Sequence, residues 1–249
     1  MCFVYQSSSL SAKEVCSVTV CCRCSAGSYT PRLCPLCYAS LSSPSPSRSN
    51  VFSLYTPPTY PSQKIAKKTD TSEFKGKLKK LTTFNTVEGF WRAYLYLKRP
   101  SALEGNVNLY LFREGPSVCP MWEAFPRGGC WILKVKKKTT GPSVLGKMWQ
   151  DIVLALIGEQ FDEPDVVGIS VCIRKAEDLI SVWNSDNRNE EIRFRIGEKM
   201  KEVLDLEPST VIEYKAHAES MQDLSTFRNT KAYVFAAAAG SPTNGSPEH

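Results

Sequence analysis

Hydrophobic positions follow two regimes: between about residues 71 and 236 they recur with the periods of helices and strands, and before residue 50 they do not. Val87, Phe90, Trp91 and Tyr94 fall at helical spacing, with Asn85 or Thr86 as a cap and Pro100 as a stop, which predicts an amphipathic helix. A second helix is expected through Leu145, Trp149, Ile152, Val153 and Leu156, ending at Gly158. A third, about Glu190–Leu204, spaces Ile192, Ile196, Met200 and Val203 along one face before Pro208 ends it. Strands are expected at Asn108–Phe112, Trp131–Lys136, Val166–Arg174, Leu179–Trp183, Val211–His217 and Lys231–Phe235, with one edge strand at Val51–Tyr55. The order β-α-β-β-α-β-β-α-β-β, with hairpin-length links, predicts an α+β fold: a mainly antiparallel sheet with helices packed on one face.

Composition divides the chain further. Residues 1–50 are rich in Ser, Cys and Pro and are expected to be a disordered extension or the product of a variant or mispredicted start. Residues 51–70 read as a linker or edge strand, residues 71–236 as the folded domain with all five tryptophans, and residues 237–249 as a disordered tail. The net charge of +6 is uneven, because residues 1–70 carry seven Lys/Arg against two Asp/Glu. The domain itself is therefore nearly neutral, and a nucleic-acid ligand has to be held by local chemistry rather than a general field.

Seven of the ten cysteines lie at or before Cys37, and Cys119, Cys130 and Cys172 show no paired spacing, a pattern of reduced, cytoplasmic protein. Cys22, Cys24, Cys34 and Cys37 make a poor zinc knuckle, since the first pair is too closely spaced. No metal or cofactor is expected. No stretch approaches the length of a membrane span. Enzymatic readings lack an inventory: of the two histidines, His217 and His249, neither sits beside a nucleophile signal, and Gly128-Gly129 lacks the lysine of a phosphate-cradling loop.

The remaining chemistry is Met121-Trp122-Glu123, in a loop between two expected strands. A loop tryptophan beside a carboxylate suits a flat cationic ligand such as 7-methylguanine, whose N1–H and amine one carboxylate accepts together. On spacing alone the alternative stays open that Trp122 plugs the end of the sheet.

Several motifs in order change this picture: Phe84-Asn-Thr-Val-Glu-Gly-Phe-Trp91, Met121-Trp-Glu123, Arg127-Gly-Gly-Cys-Trp131, Trp149 through Leu156-Ile-Gly-Glu159, and Asp178 to Trp183 after Arg174. From about Phe74 to Phe235 the chain resembles the eukaryotic translation initiation factor 4E family of cap-binding proteins. The resemblance implies a curved sheet with about three helices on its convex face and a cap slot on the concave face. It implies that Phe74 and Trp122 sandwich the base, that Glu123 reads it, that Arg174 contacts the triphosphate, and that Trp183 walls the N7 methyl. On the opposite, dorsal side it implies that Val87, Trp91, Gln150, Asp151 and Leu154 receive an amphipathic helix of a scaffold initiation factor or repressor.

Departures from the family pattern matter. Phe74 stands where Trp or Tyr is usual, and its weaker π-face implies reduced affinity. Ala176, Leu179 and Asp223 replace expected cations, for which Lys175, Lys215, Arg228 and Lys231 are candidate substitutes. Leu179 is similar to the homologous-protein subgroup linked to repression. Gln150 and Asp151 replace a commoner Leu-Glu pair, and the family's Trp-rich first strand is missing or replaced by residues 1–55. Ser225 and Thr226 are available for phosphorylation. The function implied is cap binding that recruits messenger RNA to the translation machinery; the alternative is a protein-interaction module or translational repressor with little cap affinity.

Overall fold

Residues 51–56, 75–76, 78–137 and 141–235 are described by the computed structural model. The expectations for residues 1–50, Phe74 and residues 237–249 lie outside the described residues. Eight strands, Phe52–Thr56 (β1), Lys79–Phe84 (β2), Val107–Arg113 (β3), Gly129–Lys136 (β4), Val166–Ile173 (β5), Glu177–Asn184 (β6), Ile212–Ala216 (β7) and Lys231–Tyr233 (β8), form one curved sheet in the order β2-β1-β3-β5-β6-β4-β7-β8. Every neighbouring pair is antiparallel. The helices are Val87–Leu95 (α1), Pro142–Ile157 (α2), Glu190–Val203 (α3) and His217–Asp223 (α4).

Period-two alternation splits the sheet into two apolar faces. Leu109, Leu111, Trp131, Leu133, Ile180 and Val182 point to the side where Phe90 of α1, Trp149 and Ile152 of α2, and Ile196 and Met200 of α3 cover them. Tyr110, Phe112, Cys130, Ile132, Leu179 and Trp183 point the other way, where loops rather than the three long helices cover them. The sequence builds the helix starts locally: the Thr86 hydroxyl accepts from the Gly89 N–H at 3.1 Å, and Asn189 Oδ1 accepts from the Ile192 N–H at 3.2 Å. Gly197 lets α3 lie close on the sheet, since a Cβ there would stand 2.8 Å from the Trp131 ring, whose Nε1 donates to the Arg193 carbonyl at 2.8 Å.

Three expectations change. The strand expected at an edge, now Phe52–Thr56, lies inside the sheet, paired with β2 on one side and β3 on the other. It is the first strand of the sheet in chain order among the described residues. Glu114 anchors it, accepting from Ser53 and from Tyr55 (3.4 Å) of β1 and from Lys80 of β2 (2.5 Å). These hydrogen bonds, Lys80's the largest, hold the Glu114 carboxyl below its ordinary pKa.

The unpredicted strand β2, Lys-Lys-Leu-Thr-Thr-Phe, buries Phe84 and leaves its lysines out, as suits an edge. The unpredicted helix α4 packs against the turn at Trp122–Ala124 and against β4 and β7.

Candidate functional site

Strand register writes the concave floor as three rows. Phe112, Gly168, Trp183 and Cys130 stand opposite one another across β3, β5, β6 and β4; so do Tyr110, Ser170, Ser181 and Ile132; so do Asn108, Cys172, Leu179 and Lys134. Directly opposed residues share a face, so these side chains form one surface. Gly168 is required there, because a Cβ would sit 2.5 Å from the Phe112 ring. Burial pushes the Cys130 thiol up to about 12 and raises that of Cys172, so neither is a reactive thiolate at neutral pH.

Trp183 is part of this floor. Its Nε1 donates to Ser170 Oγ at 3.0 Å, and its ring meets Phe112 at 5.4 Å and His217 at 4.7 Å between centroids. Its exposure is 4 %. His217 is fully buried, with Nδ1 2.9 Å from the Phe125 carbonyl. A carbonyl only accepts, so Nδ1 carries the proton, and the buried Nε2 has no partner among the described residues. Burial drops the imidazole pKa to about 4, against a smaller upward pull from the Phe125 carbonyl, and the ring is neutral at pH 7.

Over this floor hangs the loop from β3 to β4. Trp122, Glu123 and Ala124 form a single 3-10 turn, fixed by the buried Met121 and Phe125 on either side. Trp122 is half-buried against the floor and Glu123 is exposed. The Cys119 thiol, raised chiefly by burial, feels Lys75 and Glu123 with opposite signs. Lys75, whose charge lowers that thiol, therefore lies near the loop carrying Trp122 and Glu123. Leu78 from the same segment packs on the floor.

Arg174 lies at the end of β5. Its Nη1 donates to the carbonyls of Ile173 at 2.8 Å and Val107 at 3.4 Å, and its backbone N–H donates to Asp178 Oδ1 at 2.9 Å. Leu179 is buried in the floor and Ala176 is exposed at the hairpin tip. Directly across from Leu179 stands Lys134, a cation the sequence reading passed over because only the register places it there. Both oxygens of Glu213 hold it, at 2.8 and 2.7 Å.

Of the expected substitute cations, Lys215 is not one. It has no exposure, and its Nζ donates to Asp223 Oδ2 (2.6 Å) and to the carbonyls of Ser225 (2.8 Å) and Arg228 (2.5 Å). A buried ammonium needs such partners, so Lys215 organises the α4–β8 loop, and Asp223, at an expected basic position, is its counter-ion. Arg228 and Lys231 are exposed, whereas Lys175 lines a cleft beyond the floor. Ser225 is buried, with its Oγ accepting from the N–H groups of Phe227 (3.3 Å) and Arg228 (3.2 Å); Thr226 is half-buried.

The dorsal residues lie on the helix-covered side. Val87 is 61 % exposed, and Trp91 is half-buried, edge-on to Phe90 at 5.0 Å and to Tyr94 at 5.9 Å. On α2, Gln150 accepts from Arg99 at 3.2 Å, Asp151 pairs with Lys147 at 2.7 Å, and Leu154 is half-buried. Among the described residues no cluster of three metal-ligating side chains occurs, and no helix is long and apolar enough to cross a membrane.

Residues 49–232 match the family described as eukaryotic initiation factor 4E. The chain belongs to that family. It is similar to the wheat (Triticum aestivum) eukaryotic translation initiation factor NCBP, 39 % identical over 165 residues, covering 65 % of this chain and 68 % of the relative. Among solved structures it is similar to Caenorhabditis elegans eIF4E-3 in complex with the 4E-binding protein Mextli and cap analog, with TM-score 0.60, 28 % identity, 70 % of this chain and 94 % of that one. It is also similar to Ascaris suum eIF4E-3 in complex with m7G cap, with TM-score 0.59, 30 % identity, 69 % of this chain and 91 % of that one. The family match starts at residue 49, just before β1.

Proposed function

We propose that this family member holds the 7-methylguanosine cap of messenger RNA on the concave face and recruits that RNA for translation initiation in the cytoplasm. The observation that carries the reading is the 3-10 turn that sets half-buried Trp122 and exposed Glu123 over an aromatic floor, beside the chain at Lys75. A π-cationic base stacked on Trp122 and capped from the other side by Phe74 gains roughly 1–3 kcal/mol per ring contact. The Glu123 carboxylate accepting from the N1–H and amine adds roughly 1.5–3 kcal/mol and selects guanine. Arg174 receives the phosphate chain. Trp183 supports the methyl group from the floor, with most of its ring committed to packing.

Recognition of this kind is non-covalent and needs no catalytic group. With Leu179 apolar, Lys134 neutralised by Glu213 and Lys215 buried, base recognition rather than phosphate attraction carries the affinity for the cap nucleotide. On the dorsal side, Val87, Trp91, Gln150, Asp151 and Leu154 are the surface proposed to receive a partner helix, with half-buried Trp91 as its anchor. Tryptophan-fluorescence titration with 7-methylguanosine triphosphate, with GTP as control, tests the cap reading. Quenching by the methylated ligand alone is the expected result, and equal response to both nucleotides would overturn it.

A further inference from the structure

We propose that the cleft at the β5–β6 hairpin binds the phosphodiester backbone of the RNA that follows the cap; the inference rests on the cap reading above. At the end of the sheet where β3 and β6 begin and β4 and β5 finish, the loop 103–106 faces Arg174, Lys175 and Lys137 across a cleft of about 430 Å³. Among the described residues the lining holds Lys137, Arg174 and Lys175 against Glu104, with Lys137 also paired to Asp178, in a domain that is otherwise nearly neutral.

The cleft is built rather than incidental. Asp178, whose side chain is only 5 % exposed, accepts from the Arg174 N–H at 2.9 Å and pairs with Lys137 at 3.2 Å, so one buried carboxylate fixes both the hairpin backbone and a lysine at the rim. Lys137 keeps 42 % of its side chain exposed, and Lys175 is exposed with no hydrogen bond or ion pair among the described residues. On the other side of the cleft, Gly105 takes φ +82, a left-handed turn that presents loop backbone rather than side chain.

Continuity decides the occupant. Arg174 belongs to both places: its guanidinium is close enough to the floor residues Cys172 and Tyr110 to shift their titration, and it also lines the cleft. A phosphate chain that leaves the base slot and reaches Arg174 therefore meets Lys175 and Lys137 next. Among the described residues the lining holds no aromatic ring, so none of them stacks on a base. The contact is with phosphates and is independent of sequence.

The test compares 7-methylguanosine triphosphate with a capped 10-nucleotide RNA and its uncapped twin, using the full chain, the double variant Lys137→Ala/Lys175→Ala and the single variant Lys175→Glu. For the wild type, the capped RNA should bind roughly tenfold tighter than the nucleotide. Two extra phosphate contacts should steepen the plot of log affinity against log salt by about 1.4. The double variant should lose both differences and keep its affinity for the nucleotide. Lys175→Glu, at an exposed site that leaves the Asp178 pairing intact, should lower the affinity for capped RNA and leave that for the nucleotide unchanged. Unchanged preference for capped RNA in both variants overturns the inference and leaves the cap reading standing. Failure of the wild type to prefer the methylated nucleotide over GTP overturns the cap reading, and the inference with it.

Discussion

His217 offers a sharp test of how the concave face is built, because its neutral ring is a load that acid exposes. Above pH 6.5 the imidazole is neutral in both folded and unfolded chains. Below it the unfolded chain takes up a proton that the folded chain refuses until about pH 4, since protonating the unpartnered Nε2 would bury a charge between Trp183 and Phe125. The unfolded state binds more protons throughout that window, so stability falls as pH falls. With a folded value of about 4 against an ordinary 6.5, the loss between pH 7 and pH 4.5 is about 2.5 kcal/mol. That is a large share of the 5–15 kcal/mol that roughly holds a domain.

His217→Asn keeps an N–H donor in reach of the Phe125 carbonyl and does not titrate. Urea unfolding followed by tryptophan fluorescence at the two pH values should show the wild type losing about 2.5 kcal/mol more than the variant. At a slope of about 2 kcal/mol/M this is a relative midpoint shift of roughly 1 M. Carboxylates titrate in both proteins and cancel in the comparison. Equal acid losses would refute the reasoning, because they would mean that the ring finds water or a counter-charge in the folded state.

Three further outcomes are expected. Trp122→Ala should weaken binding of 7-methylguanosine triphosphate by roughly 5- to 150-fold with little change in melting temperature; a large drop in Tm would make Trp122 a core residue. Trp91→Ala should weaken binding of a partner helix and leave cap affinity unchanged in a parallel titration, whereas equal loss of both would make Trp91 structural. Lys215→Met takes the ammonium from the carbonyls of Ser225 and Arg228 and from the Asp223 carboxylate, which keeps the Ser225 N–H and the Asn229 amide, and should destabilise the protein by about 2–3 kcal/mol with faster amide exchange across the α4–β8 loop. An unchanged exchange pattern would show that the ammonium does not hold that loop.

Sequence periodicity makes the helices and the central strands legible because each has one apolar face: Trp131, Leu133 and Val135 alternate on β4, and Ile192, Ile196 and Met200 repeat on α3. It fails at β2, where Lys79, Lys80 and Leu81 are all exposed at an edge and carry no alternation. It fails at α4, which is too short at seven residues for a period to show. β1 reads as an edge strand because its neighbour β2 goes unseen. Trp122 and Glu123 stand out as candidate chemistry because the sequence sets them in a loop, whereas Lys215 misleads: a lysine in sequence suggests solvent, and only the fold shows the Asp223 carboxylate and carbonyls arranged around it.

The charge pattern on the concave side follows from register rather than from composition. Position 179 faces the floor and carries leucine, and the lysine at position 134 stands one strand over on the same face. Glu213 neutralises that lysine and also accepts from Thr230 at the start of β8, which ties the ion pair to the sheet edge. A phosphate that recruited Lys134 would have to displace Glu213, at a cost comparable to what it gained. The net attraction along the third row is therefore small, and Arg174 stands at the boundary between a floor with little free positive charge and a cleft to which Lys175 adds an exposed cation and Lys137 a second one that shares its charge with Asp178. A ligand consisting of the cap nucleotide alone reaches the first of these regions. A capped RNA reaches both, which is why chain length beyond the cap, rather than the number of phosphates within it, is the variable on which this protein's affinity should depend.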